Sequence, residues 1–294
     1  MPELPEVETV RRMLEAHVLG RTVRSIRLSG ARLREAIPRA LPGRLRGRTL
    51  TAARRHGKVL LMDLSGDLTL ISHLGMSGRW LFYPGPPPAM LPHVHARIAF
   101  EDGSWLWFQD PRRFGMLRVV PTGRLKADRS LARLGPDPLA SPPSGGSLAE
   151  LARGARTSAK SFLLDQRRIA GVGNIYASEI LHRAGVDPRR AAGRLAAAEW
   201  SAVAVEMTKV LNDAIEHMGT TFSMYRTLWN EPGTYGEKLL VYDRAAEPCR
   251  ACTTPIRRIV QGQRSTYFCP SCQPPRPSRP AAGRELARSR VNRG

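Results

Sequence analysis

The chain of 294 residues is short of acidic residues, of long apolar runs, and of cysteines outside one segment. No apolar run reaches the roughly 18 residues that a membrane-spanning helix needs, so no such helix is expected. The acidic start lacks the basic and apolar regions of a secretory signal peptide. Since all four cysteines lie between 249 and 272, we expect no disulfide scaffold and a protein of the reducing cytoplasm.

The shortage of acidic residues leaves a strongly basic chain. Lys plus Arg number 46 against 25 Asp plus Glu, which gives a net charge of +21 and a pI near 11.2. Part of this charge lies in residues 274–294, which are rich in Pro and Arg and are predicted to be a disordered basic tail. The remaining body is still basic enough to indicate binding to nucleic acid or another polyanion. Such binding should weaken steeply with salt.

The first residues hold a candidate nucleophile. Removal of Met1 would make the secondary amine of Pro2 the chain terminus, and an α-amino group titrates near pH 8. Amines attack aldehyde-type carbons to form Schiff bases, and Glu3 places a carboxyl group beside this amine. A Met-Pro-Glu start taken alone is more often an ordinary frayed terminus. The nucleophile hypothesis therefore depends on the rest of the chain.

Hydrophobic periodicity predicts an N-terminal helix followed by an antiparallel β-sandwich. Val7, Val10 and Leu14 recur at spacings of three and four, which indicates an amphipathic helix over residues 3–18. Between residues 23 and 120 the pattern changes to short strands separated by turn signals. The clearest predicted strands are Val59–Leu64, Leu68–Ser72, Arg97–Phe100, Ser104–Phe108 and Met116–Val120. Such a succession of strands favours a sandwich.

The second half of the chain is predicted to be helical. Ser141–Ser147 is typical of a linker near a domain boundary, and helices are expected from Leu148 to about Met218. Residues 219–238 are expected to form a long loop. Long loops in compact domains often act as lids over a site.

The four cysteines predict one structural zinc site. Cys249-x2-Cys252 and Cys269-x2-Cys272 are separated by 16 residues and supply four thiolates for a tetrahedral ion. All four ligands come from the protein, so no open position remains for catalysis. Two strands, at 256–261 and 265–268, are expected between the pairs, and the metal would supply most of the folding energy of this hairpin. Arg264 at its turn is, taken alone, typical of a solvated residue.

Five blocks of the chain together resemble the bacterial formamidopyrimidine-DNA glycosylase family, also called 8-oxoguanine DNA glycosylase. The blocks occur in the family's order and span residues 1 to about 273. They are Pro2–Arg12, His73–Gly78, Asp110–Gly115, Leu163–Ala177 and the zinc hairpin with Gln263-Arg264.

The resemblance and the element pattern imply an α+β multidomain protein. We expect a catalytic domain at 1–135, formed by the N-terminal helix and the antiparallel β-sandwich. A helical DNA-binding domain with a helix-two-turn-helix motif is expected at 136–240, a four-cysteine zinc finger with a zinc-bound β-hairpin at 241–273, and the basic tail at 274–294. The family works as a monomer on double-stranded DNA that contains damaged bases or abasic sites.

The resemblance also implies a bifunctional enzyme that excises oxidised purines, such as 8-oxoguanine and formamidopyrimidines, and then cleaves the abasic strand by β,δ-elimination. Pro2 matches the nucleophile that attacks the anomeric carbon, and Glu3 matches the acid that opens the sugar ring. Lys58 matches the β-elimination lysine. Arg264 matches the residue that contacts the flanking phosphates and acts in δ-elimination. His56 departs from the pattern, because the family usually has a second arginine there.

A further set of residues is implied to bind DNA. The damaged nucleotide must be flipped out of the duplex, and Met76, Arg112 and Phe114 match the family's void-filling residues. For Met76 and Phe114 the alternative is core packing, but the surrounding turn residues favour exposure. Contacts to phosphates are implied for His93, Arg156, Lys160 and Asn174. His93 could instead be an ordinary surface histidine, and the unusual loop 219–238 leaves base selectivity open.

Two other functions remain compatible with the sequence. A sister endonuclease type acts on oxidised pyrimidines and shares Pro2, Glu3, the lysine and the zinc finger. Its usual start is Pro-Glu-Gly-Pro-Glu, whereas this chain has Leu4. A non-enzymatic zinc-ribbon protein that binds nucleic acid would explain the charge and the cysteines, but not the ordered set of Pro2, Glu3, Lys58 and Arg264.

Overall fold

The computed structural model describes residues 1–221 and 225–275. The predicted basic tail therefore lies, from residue 276 onward, outside the described residues. Within the described part of the chain, no helix is both long and apolar enough to cross a membrane.

The chain begins with helix α1, Leu4–His17, as the periodicity predicts. Glu3 and Glu6 form a capping box at its start, and Pro5 lies in the first turn, where a missing N–H is tolerated. Val7, Val10 and Leu14 are buried and pack into the core of the sandwich.

The sandwich consists of two four-stranded antiparallel sheets. The first has the order β1-β6-β7-β5, with β1 at Val23–Leu28, β5 at Arg79–Tyr83, β6 at Val94–Phe100 and β7 at Trp105–Gln109. The second has the order β2-β3-β4-β8, with β2 at Leu50–His56, β3 at Val59–Leu64, β4 at Leu68–His73 and β8 at Met116–Pro121. A short helix α2, Leu41–Leu45, lies between β1 and β2.

Each predicted strand is present, and the inner faces of the two sheets form one core. The largest difference is in β6, which begins three residues before the predicted Arg97 because Val94 already pairs with Gln109 of β7. Trp80, Phe82 and Phe108 are among the buried aromatic residues of this core. The sandwich is thus a rigid support for the loops at its ends.

The helical part forms a second core around two buried aromatic residues, Phe162 and Trp200. Its helices are α3 at Gly145–Ala152, α4 at Ala159–Leu164, α5 at Asn174–Arg183 and α6 at Ala197–Glu216. The predicted end of the linker or turn Ser141–Ser147 is wrong, because α3 already begins at Gly145. The Ser144 hydroxyl accepts a hydrogen bond from the Ser147 N–H at 3.1 Å and caps the helix there.

The last described element is the hairpin of β9, Arg257–Gln261, and β10, Arg264–Phe268. Gly262 and Gln263 form its turn, both with positive φ. Helix α5 anchors the segment that leads into the hairpin, since the buried Glu179 carboxylate accepts the backbone N–H groups of residues 240–242. The Gln273 amide donates to the Val186 carbonyl at 2.8 Å. These contacts fix the zinc finger on the helical part.

Candidate active site

The N-termini of α1 and α5 meet at the seam between the sandwich and the helical part. The Leu4 N–H donates to the Gly171 carbonyl at 3.1 Å. The Glu3 carboxylate accepts hydrogen bonds from the N–H groups of Ile175, at 3.0 Å, and Tyr176, at 3.5 Å. Free N–H groups at a helix start stabilise a negative charge. Pro2 and Glu3 are both buried here, so the predicted nucleophile and acid lie at an interdomain site.

The close approach of Glu3 to α5 requires glycine at position 173. A Cβ atom on Gly173 would lie 2.3 Å from Cδ of Glu3, well inside van der Waals contact. At Gly171, φ is +103° and a Cβ would lie 2.6 Å from Cδ1 of Leu4. The two glycines of the Gly-x-Gly sequence therefore allow the chain terminus to pack closely against this turn, in addition to allowing the turn itself.

Glu6 is a buried carboxyl group at this seam that sequence reasoning missed. It accepts hydrogen bonds from the Glu3 N–H at 2.7 Å, from the Thr220 N–H at 2.8 Å, and from the Tyr176 hydroxyl. Burial, followed by the nearby charge of Glu3, raises the pKa of Glu6. The spacing of Glu3 and Glu6 is that of a capping box, which is the one sequence signal that could have identified it.

Lys58 lies on the turn between β2 and β3 and is 8% exposed. It borders a cavity of about 800 Å³ together with His73, Gln166 and Arg264. Burial lowers the pKa of Lys58, the charge of Arg264 lowers it further, and the carboxylates of Glu3 and Glu6 oppose the shift. A lower pKa increases the fraction of neutral amine that can accept a proton. The structure thus brings Lys58 and the hairpin arginine to one cavity.

His73 adds a neutral group to the same cavity. Burial, followed by the charge of Lys58, lowers the pKa of His73 to about 4. Its Nδ1 atom accepts a hydrogen bond from the Gly75 N–H at 2.9 Å. At neutral pH the imidazole therefore adds no positive charge beside the lysine.

A buried ion pair, also missed from sequence, holds the turn of Lys58. The Arg55 guanidinium pairs with Glu8 at 3.0 Å and with Asp137. The Asp137 carboxylate also accepts the Gly57 N–H at 2.7 Å. His56, which replaces the family's second arginine, binds the Gly135 carbonyl through Nε2 at 3.0 Å. Residues 135 and 137 thus fix the turn from outside the sandwich.

The predicted void-filling residues are exposed on two touching loops. Met76 is 37% exposed and Phe114 is 45% exposed, so neither belongs to the core. The Arg112 guanidinium lies 5.0 Å from the centre of the Phe114 ring. Buried Asp110 joins the loops, because its carboxylate accepts hydrogen bonds from the Ser77 hydroxyl and the Gly115 N–H. The exposure that the turn residues predicted is confirmed.

The structure separates the predicted phosphate contacts into two kinds. His93 is exposed with a positive φ of 62°, whereas neighbouring His95 is buried and bound to Ser29 and to the Asp110 carbonyl. Arg156 is exposed, and no ion pair of it is recorded within residues 1–221 and 225–275. These two side chains, His93 and Arg156, are accessible to a ligand.

Lys160 and Asn174 instead hold the zinc hairpin. The Lys160 ammonium donates to the Ser265 carbonyl at 2.7 Å and to the Thr266 hydroxyl at 2.8 Å. Asn174 donates to the same carbonyl at 3.0 Å. Burial, together with the charge of Arg264, lowers the pKa of Lys160 to about 7. Both side chains bind the carbonyl of Ser265, the residue after Arg264, and therefore position that arginine at the cavity.

The four cysteines fit one structural zinc ion. Their Sγ atoms all lie within 4.8 Å of one another. Tetrahedral zinc with Zn–S distances of about 2.3 Å needs sulfurs about 3.8 Å apart. The recorded separations of 3.4, 3.5 and 3.9 Å match this requirement. Nε2 of His182 in α5 lies 3.7 Å from Sγ of Cys249, so the metal site contacts the helical part directly.

Three family models match the chain in the order of its domains. The formamidopyrimidine-DNA glycosylase N-terminal domain matches residues 1–117, and the H2TH domain of the same proteins matches residues 134–226. The zinc finger found in FPG and IleRS matches residues 246–275. Together they account for the sandwich, the helices and the hairpin.

Individual relatives agree with these matches. Formamidopyrimidine-DNA glycosylase of Methylococcus capsulatus is 46% identical over 93% of this chain and all of its own length. The crystal structure of MutM (Fpg) from Thermus thermophilus aligns with a TM-score of 0.81 at 39% identity, covering 92% of this chain and 98% of that one. A Lactococcus lactis Fpg mutant bound to DNA containing Fapy-dG aligns with a TM-score of 0.85 at 31% identity, covering 93% and 100%. The chain belongs to the formamidopyrimidine-DNA glycosylase family.

Proposed function

We propose that this chain is a bifunctional DNA glycosylase of base excision repair that excises oxidised purines and then cleaves the abasic strand. The observation that carries the proposal is the interdomain seam, where the Glu3 carboxylate, held by two backbone N–H groups of α5, lies next to Pro2. Lys58 and Arg264 border one cavity with the chain terminus. Binding of Fapy-dG DNA by the Lactococcus lactis relative supports the choice of substrate.

In the first step, the Pro2 amine, freed by removal of Met1, attacks C1′ of the damaged nucleotide. The glycosidic C–N bond breaks, and the purine leaves with the electron pair and takes up a proton. Glu3 gives a proton to the ring oxygen as the sugar opens, and a cationic iminium remains on Pro2. Because this cation withdraws electrons, the C2′ proton becomes acidic.

In the second step, the neutral amine of Lys58 accepts the C2′ proton, and the C3′–O bond breaks to release the 3′ phosphate. A further elimination then releases the 5′ phosphate, with Arg264 compensating the charge of the leaving phosphates. The lowered pKa of Lys58 supports its role as the base. Water finally hydrolyses the iminium and restores Pro2.

We assign DNA binding to the exposed set. Met76, Arg112 and Phe114 would fill the gap left by the flipped nucleotide, and His93 and Arg156 would contact phosphates. For Lys160 and Asn174, the contacts with Ser265 favour positioning of the hairpin over the direct phosphate contact that the resemblance implies. That direct contact stays a prediction.

We propose domain boundaries at 1–135, 136–240 and 241–273, with the tail at 274–294. The three matched segments and the separate cores support this division. We also propose that the protein acts as a monomer, as the family resemblance implies. We also propose a cytoplasmic, nucleoid-associated location, because the proposed substrate is bacterial DNA.

The proposal is tested by trapping with borohydride, which reduces the iminium to a stable adduct. Zinc-loaded protein without Met1 is incubated with duplexes carrying 8-oxoguanine, a formamidopyrimidine, dihydrouracil or an abasic site. We expect a covalent adduct with the purine lesions and the abasic site, and none with Pro2→Gly. A preparation that retains Met1 serves as a matched control and should also give none.

Each alternative function predicts a different result in this experiment. Preferential cleavage of the dihydrouracil duplex would assign the chain to the pyrimidine-specific type. Tight DNA binding with no adduct on any substrate would make it a binding protein. Equal trapping by native protein and Pro2→Gly would refute Pro2 as the nucleophile.

A further inference from the structure

The outer face of the first sheet carries a basic groove that the proposed reaction does not use. We propose that this groove, here called the outer groove, binds the phosphate backbone of a second DNA segment while the active site holds the first. The inference goes beyond the proposed excision activity, although it rests on DNA being the ligand. The outer groove encloses about 600 Å³ and is lined by β1, α2 and the start of β7, mainly through Arg24, Arg27, Arg46, Pro42 and Trp105.

The arginines of the outer groove lack acidic partners. Arg24, Arg27 and Arg46 are exposed, and no ion pair of theirs is recorded in the described ranges 1–221 and 225–275. Glu35 is the only acidic residue between positions 16 and 62, and it pairs with Arg118 and Arg129. The segment that carries these three arginines therefore supplies no free carboxylate to balance them.

Strand register places a fourth arginine on the same face. Arg27 of β1 lies opposite Arg97 of β6, which in turn lies opposite Trp107 of β7. Like charges directly opposite each other on neighbouring strands destabilise a sheet. Arg97 is held by stacking, with its guanidinium carbon 5.2 Å from the centre of the Trp107 ring. An anionic ligand across the two arginines would remove the repulsion between them.

Several arginines elsewhere on the surface are neutralised by a carboxylate. Arg54 pairs with Asp63, Arg153 with Glu150, and Arg167 with Asp165. The outer groove differs from these sites because it brings three arginines without such a pair to one depression. A planar guanidinium matches phosphate oxygens in a bidentate way, so a row of unpaired arginines fits a phosphate backbone.

The outer groove is separate from the cavity of the active site. Leu106 and Phe108 of β7 face the core, whereas Trp107 packs in a distinct cluster on the outer face with Leu81. Trp105 begins β7, while the loop of Arg112 and Phe114 follows the other end of that strand. Five residues of extended chain separate Trp105 from Asp110, or about 17 Å. A duplex in the active site and one in the outer groove would thus contact different faces and ends of the sandwich.

Two bound segments would let the protein pass from one DNA segment to another without release into solution. Contacts to phosphates carry no sequence information and are well suited to such a search. The chemical class of the ligand is duplex DNA of any sequence.

The test first fills the active site and then measures a second binding event. Zinc-loaded full-length protein is mixed with one molar equivalent of an unlabelled duplex that carries a non-cleavable abasic analogue, so that the lesion fills the active site and the outer groove stays free. A fluorescent undamaged duplex is then added at several salt concentrations, and its anisotropy is recorded. Arg24→Ser/Arg27→Ser is compared with Arg124→Ser/Lys126→Ser, which removes the same charge from another exposed segment. Arg46→Ser provides an independent variant of the outer groove.

We expect native protein to bind the second duplex, and Arg24→Ser/Arg27→Ser to bind it about ten-fold more weakly. The slope of log affinity against log salt should fall by about 2 in this variant, since each lost phosphate contact removes about 0.9. Arg46→Ser should weaken binding in the same direction, and the control less than two-fold. Single-turnover cleavage of a lesion duplex should be unchanged in all variants.

Three results would overturn the inference. The first is that native protein with a filled active site fails to bind a second duplex. The second is that native protein and both groove variants bind it equally, which would place the second contact elsewhere. A loss of lesion cleavage in the groove variants would show that the outer groove belongs to the first binding site. Absence of lesion cleavage in native protein would instead contradict the proposed excision activity.

Discussion

Lys58 on the β2–β3 turn and Lys160 on α4 are both buried. The charges of Glu3 and Arg264 act on both amines, but the two lysines differ in their hydrogen-bond partners. Burial lowers the pKa of each. Lys160 donates two hydrogen bonds to the zinc hairpin, whereas within the described residues no hydrogen bond is recorded for Lys58, which borders the cavity. The same desolvation therefore yields a structural hydrogen-bond donor where the amine is bound and a reactive amine where it is not.

The largest effect should come from Lys58→Met. The variant removes the base but leaves the hairpin contacts intact, so strand cleavage at an abasic site should fall at least ~100-fold in single-turnover assays. Its melting temperature should stay the same or rise, because a buried amine for which the described residues offer no hydrogen bond is removed. Cleavage within ten-fold of the native rate would contradict the role of Lys58.

Lys160→Met should mainly affect stability. It leaves the Thr266 hydroxyl without a donor, while the Ser265 carbonyl keeps the Asn174 amide, and an unsatisfied buried group costs about 1–3 kcal/mol. We expect a loss of roughly 1–3 kcal/mol in the free energy of unfolding, measured by urea denaturation of zinc-loaded protein. Lys209→Met is the control, since Lys209 is exposed and forms a surface ion pair with Glu206. If both variants lose equally little, Lys160 does not stabilise the hairpin.

The pH dependence of stability should distinguish native protein from Lys160→Met. The pKa of Lys160 is about 7 in the folded state against 10.5 for an ordinary lysine. Between these values the unfolded chain binds the extra proton, so stability rises with pH. From pH 7 to 9, native protein should gain up to about 1.4 kcal/mol per pH unit relative to the variant. Parallel stability curves for the two proteins would rule out a lowered pKa at Lys160.

A smaller effect is expected at His182, which forms another contact between the zinc finger and the helical part. His182→Phe keeps a ring of similar bulk but removes the nitrogen beside Cys249. Groups that contact metal ligands commonly change metal affinity by about ten-fold or more. Zinc transfer to a chromophoric chelator should therefore be about ten-fold faster in His182→Phe, with His93→Phe as control. Identical transfer rates would mean that His182 does not support the metal site.

Local patterns in the sequence predicted most of the fold and the exposed part of the site. The strand Val59–Leu64 was predicted with the bounds that the structure shows, because turn residues flank it. The cysteine spacing predicted the zinc site, and the turn residues predicted the exposure of Met76 and Phe114. Each of these signals lies within a few residues of the feature it indicates.

The buried polar contacts could not be predicted, because they join distant parts of the chain. Glu6 binds Thr220, and Arg55 binds Asp137, across separations that no periodicity encodes. Likewise, no local signal shows that Lys160 contacts residues 265 and 266. His93 and His95 look alike in sequence, and only the fold places one at the surface and the other inside.

The bond between Glu3 and the start of α5 also has a consequence for synthesis. A ribosome makes residue 3 long before residues 175 and 176, whose N–H groups hold its carboxylate. A sandwich that folds first as a nascent domain therefore carries its proline without the complete acid site. On the proposed mechanism, the order of translation therefore delays reaction with DNA until the helical part has docked and completed the acid site.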